Sequence, residues 1–175
     1  MSAEDWLPLV LAPGLNPTRL SALLQKFNHE PGAICRASRR ALTQAGLHPA
    51  TVEALQHPAQ DTLQRALLWL EPDEHHLVHC QDPRFPSTLR TSGHAPTALF
   101  VAGDPDALAL PQLAIVGSRN ATAGGLATAH DFAAYLAGCG LTITSGLAAG
   151  IDAAAHSGAL DAGGLTVAVL GTGPD

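Results

Sequence analysis

From Leu113 onward, apolar β-branched runs alternate with turns rich in Gly, Ser and Thr: LAIV precedes GSRNATAGG, LTIT precedes SGLAAG, and LTVAVL precedes GTG. Segments of alanine and leucine at helical spacing separate these units. Such repetition predicts a parallel α/β sheet whose turns gather along one edge. Strands are expected at Leu113–Val116, of the buried type, at Leu141–Thr144 and at Leu165–Leu170. Helices are expected from about Ala123 to Ala137, capped by Thr122, and from about Ile151 to Ala162.

The first part of the chain has a different period. Asp5 to Leu11 is apolar and stops at Pro13-Gly14; Pro17 then opens a helix after Asn16, with Leu20, Leu23, Leu24 and Phe27 on one face. Ser38 caps a helix that runs through Ala45 and ends at Gly46, and Pro49 begins the next, through Gln56. Residues 57–76 read as one more helix, with Leu63, Ala66, Leu67 and Leu70 on one side. The result is a small all-helical domain, residues 1–76, whose turn at Pro13-Gly14-Leu15-Asn16-Pro17 resembles a helix-hairpin-helix or SAM-like unit. Residues 77–112 form a connecting segment, stiffened by Asp82-Pro83 and Phe85-Pro86, with an added strand at Leu99–Ala102. Residues 113–175 form the α/β domain.

Composition narrows the class. The 175 residues are 46% hydrophobic, ample for a packed core, and hold no apolar run of membrane-spanning length. An acidic start, MSAEDW, argues against a signal peptide, so a cytoplasmic location is expected. Cys35, Cys80 and Cys139 lack any CxxC spacing and read as reduced thiols. The formal net charge is −6, yet residues 17–56 carry Arg19, Lys26, Arg36, Arg39 and Arg40 against Glu30 and Glu53. Those five cations are candidates for a secondary DNA contact, or simply a solvated face. Beyond Leu113 the one Lys or Arg is Arg119, so an anion bound there must rely on local geometry.

Ligands of open parallel sheets bind beyond the carboxyl ends of the strands. At that edge the candidates are Gly117, Ser118, Arg119 and Asn120 in the first loop, Ser145, Gly146, Leu147 and Gly150 in the second, and Gly171, Thr172 and Gly173 in the third. Amides at helix starts, the hydroxyls of Ser118, Ser145 and Thr172, and the Arg119 guanidinium suit phosphate oxygens. The alternative is that the glycines only permit tight turns. No Walker loop, no GxGxxG in the first turn and no GxSxG elbow occur. Asp152 and His156, four apart, form a formal acid/base pair; the plainer reading gives Asp152 to the helix start and lets His156 pack beside it. His75, His76, His79 and Cys80 are metal-type ligands, but a short strand there throws alternate side chains to opposite faces, so neither a metal site nor a cofactor is expected.

VGSRNAT at Val116–Thr122, SGLAAGIDAAAH at Ser145–His156 and VAVLGTG at Val167–Gly173, with DPRFPSTLR and PTALFVAGD upstream, resemble the DNA-processing protein A (DprA/Smf) family. The resemblance covers nearly the whole chain. It implies a Rossmann-like sheet behind a SAM-like helical domain, and a non-catalytic protein that binds single-stranded DNA through backbone phosphates and helps load RecA in natural transformation. It also implies a homodimer. Many relatives carry Arg or Lys at the position of Ala149, so weaker DNA binding is expected unless the helical unit or a second chain adds charge. The family's sheet continues past the third loop, so the chain reads as a fragment with an incomplete sheet. Two other classes stay open: a Rossmann-like nucleotide phosphoribohydrolase, and a helical protein-interaction module.

Overall fold

The computed structural model describes residues 3–92 and 95–172. Gly173, assigned above to the third loop, lies outside them. The chain divides into two compact units, residues 1–103 and 104–175.

The first unit opens with α1 (Ala3–Leu11), α2 (Pro17–Lys26), α3 (Pro31–Cys35), α4 (Arg39–Gln44), α5 (Pro49–Gln56) and α6 (Gln60–Trp69). Two of its turns repeat one another: Gly14-Leu15-Asn16-Pro17 and Gly46-Leu47-His48-Pro49. Both glycines take positive φ, 75° and 90°, and both prolines open a helix. The N-caps are filled alike. The Arg19 amide donates to Asn16 Oδ1 at 2.9 Å and the Ala50 amide to His48 Nδ1 at 3.2 Å. Three residues after each proline an apolar side chain, Leu20 or Val52, is fully buried. The Thr51 hydroxyl donates to the Pro13 carbonyl at 2.7 Å, which ties the second repeat to the first turn.

The core of this unit is made of large side chains. Trp6, Leu7 and Leu9 of α1 are buried with Leu20, Leu24, Ile34 and Leu42, and α1 packs against α3, α5 and α6. After α6 the chain forms β1 (His75–His79), α7 (Ser87–Thr91) and β2 (Ala98–Ala102). The helix expected over 57–76 is therefore shorter at both ends. It starts only after Pro58, Leu70 is its C-cap, and His75 and His76 belong to β1. Strands β1 and β2 pair antiparallel as a sheet of their own, so the added strand joins β1 instead of the parallel sheet. β1 presses against the helices through two ring stacks: His79 on Trp6, centroids 3.7 Å apart, and His75 on Trp69, 4.0 Å apart, with Phe100 edge-on to Trp69. Burial holds the His79 imidazole below the usual histidine range. In the following turn Asp82 accepts from Arg84 Nε and Nη2 at 3.0 and 2.8 Å, and Arg90 Nη2 donates to the Asp82 carbonyl at 2.9 Å. The Arg84 guanidinium holds the Asp82 carboxyl below the usual carboxylate range.

The second unit begins with a 3-10 turn at Pro105–Ala109 and continues as β3 (Gln112–Ala114), α8 (Ala123–Gly138), β4 (Thr142–Ser145), α9 (Ile151–Asp161) and β5 (Thr166–Ala168). The strands are all parallel, in the order β3-β4-β5. This is the mixed α/β architecture with a helical N-terminal part that the sequence predicts. Ile143 of β4 is buried against Ala133 and Ala137 of α8 and Ala155 and Ala159 of α9, so both helices cover one face of the sheet. Close approach is what binds them. A Cβ on Gly158 would lie 2.1 Å from the His130 carbonyl oxygen, a distance only glycine accepts. Across the same crossing His130 Nε2 bonds Asp161 Oδ2 at 2.9 Å; that bond first, and Asp131 second, raises the His130 pKa.

One expectation fails here. Leu113–Val116 was expected to be a buried strand, but β3 ends at Ala114 and each of its residues is exposed. β3 is an edge strand, and the face opposite the helices, which side-chain alternation gives to Ala114 and Val116, leaves Val116 73% exposed.

Candidate functional site

The first and second loops of the α/β unit meet at the carboxyl end of the strands, and they meet through backbone. The Ile151 amide donates to the Ser118 carbonyl at 3.2 Å. Gly150 sits at φ 85°, and a Cβ there would fall 2.2 Å from the Ser118 oxygen and 2.7 Å from the Arg119 oxygen. Gly117 is the reciprocal contact: its missing Cβ leaves room for Ile151, whose Cγ1 would otherwise be 2.7 Å away. The third loop approaches as well, since the Val169 amide donates to the Ser145 carbonyl at 2.8 Å and Gly171 and Thr172 follow, both exposed.

Within this junction the residues divide by task. Gly117, Ser118, Arg119 and Asn120 are all exposed, and Ser118 Oγ accepts the Asn120 amide at 3.1 Å, which shapes the loop. Arg119 has no ion-pair partner among the described residues. Beyond it, Thr122 Oγ1 caps α8 by accepting from Gly125, and the first two residues of that helix, Ala123 and Gly124, are exposed. Here a guanidinium and a helix start face solvent together.

The second loop is occupied with itself. Ser145 is buried and its hydroxyl donates to the Ile115 carbonyl at 2.6 Å, so it serves the β3–β4 connection. The Gly146 amide donates to Asp152 Oδ2 at 3.2 Å, and the Ala153 amide to the Ala148 carbonyl at 3.1 Å. Both Ser145 and Gly146 were expected to offer donors to a phosphate; the structure spends the hydroxyl and the amide internally. Leu147 takes φ 56° and is 56% exposed, an apolar crest with a backbone conformation rare for a branched residue.

His156 and Asp152 are buried on α9 with separate partners. His156 Nδ1 pairs with Thr166 Oγ1 at 2.6 Å, and that hydroxyl donates onward to the Ile143 carbonyl at 2.7 Å. The hydroxyl's proton is thus committed, so Nδ1 carries the imidazole hydrogen. Burial lowers the His156 pKa. This pair rivets α9 to loop and sheet. Sequence reasoning identified Asp152 as a helix-start residue but missed its bond six residues back to Gly146, and it missed Ile151 as the contact that Gly117 admits.

The secondary candidates lie in the helical unit. The repeated turns there border a groove of about 540 Å³ that includes Arg19 and His48. Arg19 donates to the Gly14 carbonyl at 3.1 Å, Lys26 to the Ala45 carbonyl at 3.2 Å, and Arg39 is paired with Glu53. That bond from Arg39 is the first cause of a lowered Glu53 pKa. The Arg36 guanidinium and the Asp5 carboxylate both lie within 3 Å of where a Cβ on Gly32 would be, at 2.9 and 2.7 Å. Arg40 is exposed. Four of the five cations thus have structural neighbours, and Arg19 is the one of the five that lines the groove.

Comparison with known proteins gives three findings. A family model described as DNA recombination-mediator protein A matches residues 76–175. Protein Smf of Escherichia coli K12 is 35% identical over 99% of this chain and 45% of that protein, and DNA processing protein DprA of Streptococcus pneumoniae is 44% identical over 54% of this chain and 33% of that protein. The X-ray structure of DprA from Streptococcus pneumoniae superposes with a TM-score of 0.73 at 27% identity, covering 98% of this chain and 59% of that one. The chain spans less than half the length of Smf and about three fifths of the pneumococcal DprA structure.

Proposed function

The chain belongs to the DNA recombination-mediator protein A family, and from that premise we propose that it binds single-stranded DNA through backbone phosphates, without base preference. The observation that carries this reading is the junction of the first two loops, which sets Arg119, the one Lys or Arg after Arg90, in solvent beside the open start of α8. A guanidinium offers a planar fork of donors to phosphate oxygens, and a helix start favours an anion. Phosphates carry no sequence information, so such contacts hold any strand.

The proposed contact set is Gly117, Ser118, Arg119 and Asn120 with the first-turn amides of the exposed residues Ala123 and Gly124, flanked by Leu147, Gly150, Gly171 and Thr172. Leu147 supplies an apolar surface that suits a base. Ser145 and Gly146 support the site from behind. The role is binding and not catalysis: Asp152 and His156 each serve a structural partner. RecA loading, self-association and a cytoplasmic location are further proposals from the family; no helix of the described residues is long and apolar enough to cross a membrane. Ala149 leaves the second loop without a cation, so affinity is modest and strongly salt-dependent.

Fluorescence titration with oligo-dT across salt concentrations tests the site. Arg119→Ala is expected to weaken binding by about tenfold and to reduce the salt slope by about one. Unchanged affinity and slope would remove Arg119, and with it this pocket, from the account.

A further inference from the structure

We propose that Asp152 is the positioning residue of the second loop: its carboxylate holds the Gly146 amide, and through it the shape in which Leu147 stands beside the first loop. The inference rests on the DNA-binding reading above for its purpose, and on the geometry of the loop for its mechanism.

Asp152 is 93% removed from solvent in a loop-and-helix junction where a carboxylate would ordinarily seek water, being only 7% exposed. Burial of this kind persists where the charge is engaged. Its Oδ2 accepts from Gly146 N at 3.2 Å, and it stands in the first turn of α9, where an acidic group meets the positive end of the helix dipole. The α9 N-cap, Gly150, has no side chain to cap the helix, so Asp152 provides the acidic group in that turn. Position 146 is matched to it: a Cβ there would lie 2.9 Å from Oδ2. Between these two anchors the chain must make a tight excursion, and it does so with Leu147 in the left-handed region and Gly150 at φ 85°. A non-glycine residue in that region costs energy and is kept only where its surroundings fix it. The bond from Gly146 to Asp152 fixes the side of Leu147 that faces β4; the Ile151 to Ser118 bond fixes the far side.

The carboxylate also decides where a bound phosphate goes. With Oδ2 on the Gly146 amide and its charge at the α9 start, that end is already supplied with an anion. A phosphate is directed to Arg119 and the α8 start, and the second loop is left to present an apolar wall.

The test compares Asp152→Ala, Asp152→Asn and Gly146→Ala in the full chain, by amide hydrogen exchange without DNA and by oligo-dT titration. In the parent and in Asp152→Asn, whose side-chain carbonyl still accepts, the Gly146 amide is expected to be protected; in Asp152→Ala it exchanges freely. Oligo-dT affinity is expected to fall about tenfold in Asp152→Ala, the worth of one buried hydrogen bond, and to stay within about threefold of the parent in Asp152→Asn. Gly146→Ala keeps the acid at the helix start but forces the carboxylate away, and should reproduce the loss in a chain that melts like the parent. Combined with Asp152→Ala it should add little. An unprotected Gly146 amide in the parent, parent-like affinity in both alanine variants, or no rescue by asparagine would overturn the proposal. Absence of oligo-dT binding by the parent overturns the DNA-binding reading and the purpose given to the loop, while the exchange measurement still decides whether Asp152 holds it.

Discussion

The two units are built on opposite uses of large apolar side chains. In the helical unit they are inside: Trp6, Leu7, Leu9, Leu20 and Leu24 are essentially without solvent contact. In the α/β unit the buried interior is Ala133, Ala137, Ala155 and Ala159 around Ile143, with Ile115 and Leu136 packed at its margin, and the aromatic rings of α8 are outside, Phe132 60% and Tyr135 71% exposed. The first unit is held by the volume it buries. The second is held by how near its backbones come, and the same device, a glycine where a Cβ cannot fit, recurs at Gly117 and Gly150 in the candidate site. Filling space and removing it are thus separate routes to cohesion, and the second draws the loop junction together without surrounding it by bulk.

Substitutions can break this contrast, and spectroscopy can read it, because both tryptophans lie in the helical unit and the one tyrosine in the other. The largest effect belongs to Trp6→Ala, which empties the site beneath the His79 ring and should cost about 3–5 kcal/mol. Trp69 fluorescence in a denaturant titration should show the helical unit melting early while Tyr135 reports an unmoved transition; a simultaneous early loss of both signals would mean the units are one cooperative body. Gly158→Ala comes next. One methyl group forced to within 2.1 Å of the His130 carbonyl oxygen must push α8 and α9 apart, at about 1–3 kcal/mol, and should weaken the His130–Asp161 bond, visible as a lower His130 pKa by NMR. A wild-type melting curve for this variant would refute the close-approach account. Smallest of all, Phe132→Ser should change stability by less than about 0.5 kcal/mol, since the ring is mostly in water; a larger loss in the same melting experiment would show that α8 relies on it.

Local chemistry is what the sequence made legible. Asn16-Pro17, Ser38 and Pro49 mark helix starts that the structure reproduces to the residue, because a cap and a proline act within one turn. Three five-residue elements, at Pro31–Cys35, Ser87–Thr91 and Pro105–Ala109, carried no periodic signal and depend on what they pack against. The exposure of β3 was equally hidden: an apolar run announces a strand, while its place at the edge of the sheet is decided by the partners it finds. In the site, glycine positions and the lone arginine were visible from residue type. That Ser145 and Gly146 have already spent their donors was not, since satisfaction of a hydrogen bond depends on groups distant in sequence such as Ile115.

Gly117 and Gly150 also limit how such a loop pair can vary by descent. Each makes room for the other strand's neighbour, Ile151 in one case and the Ser118 carbonyl in the other. A larger residue at Gly117 needs a smaller one at position 151, whereas at Gly150 the neighbours are backbone carbonyls and φ is positive, so no side-chain change opposite makes room; the first and second loops are thus inherited as one character and not as two.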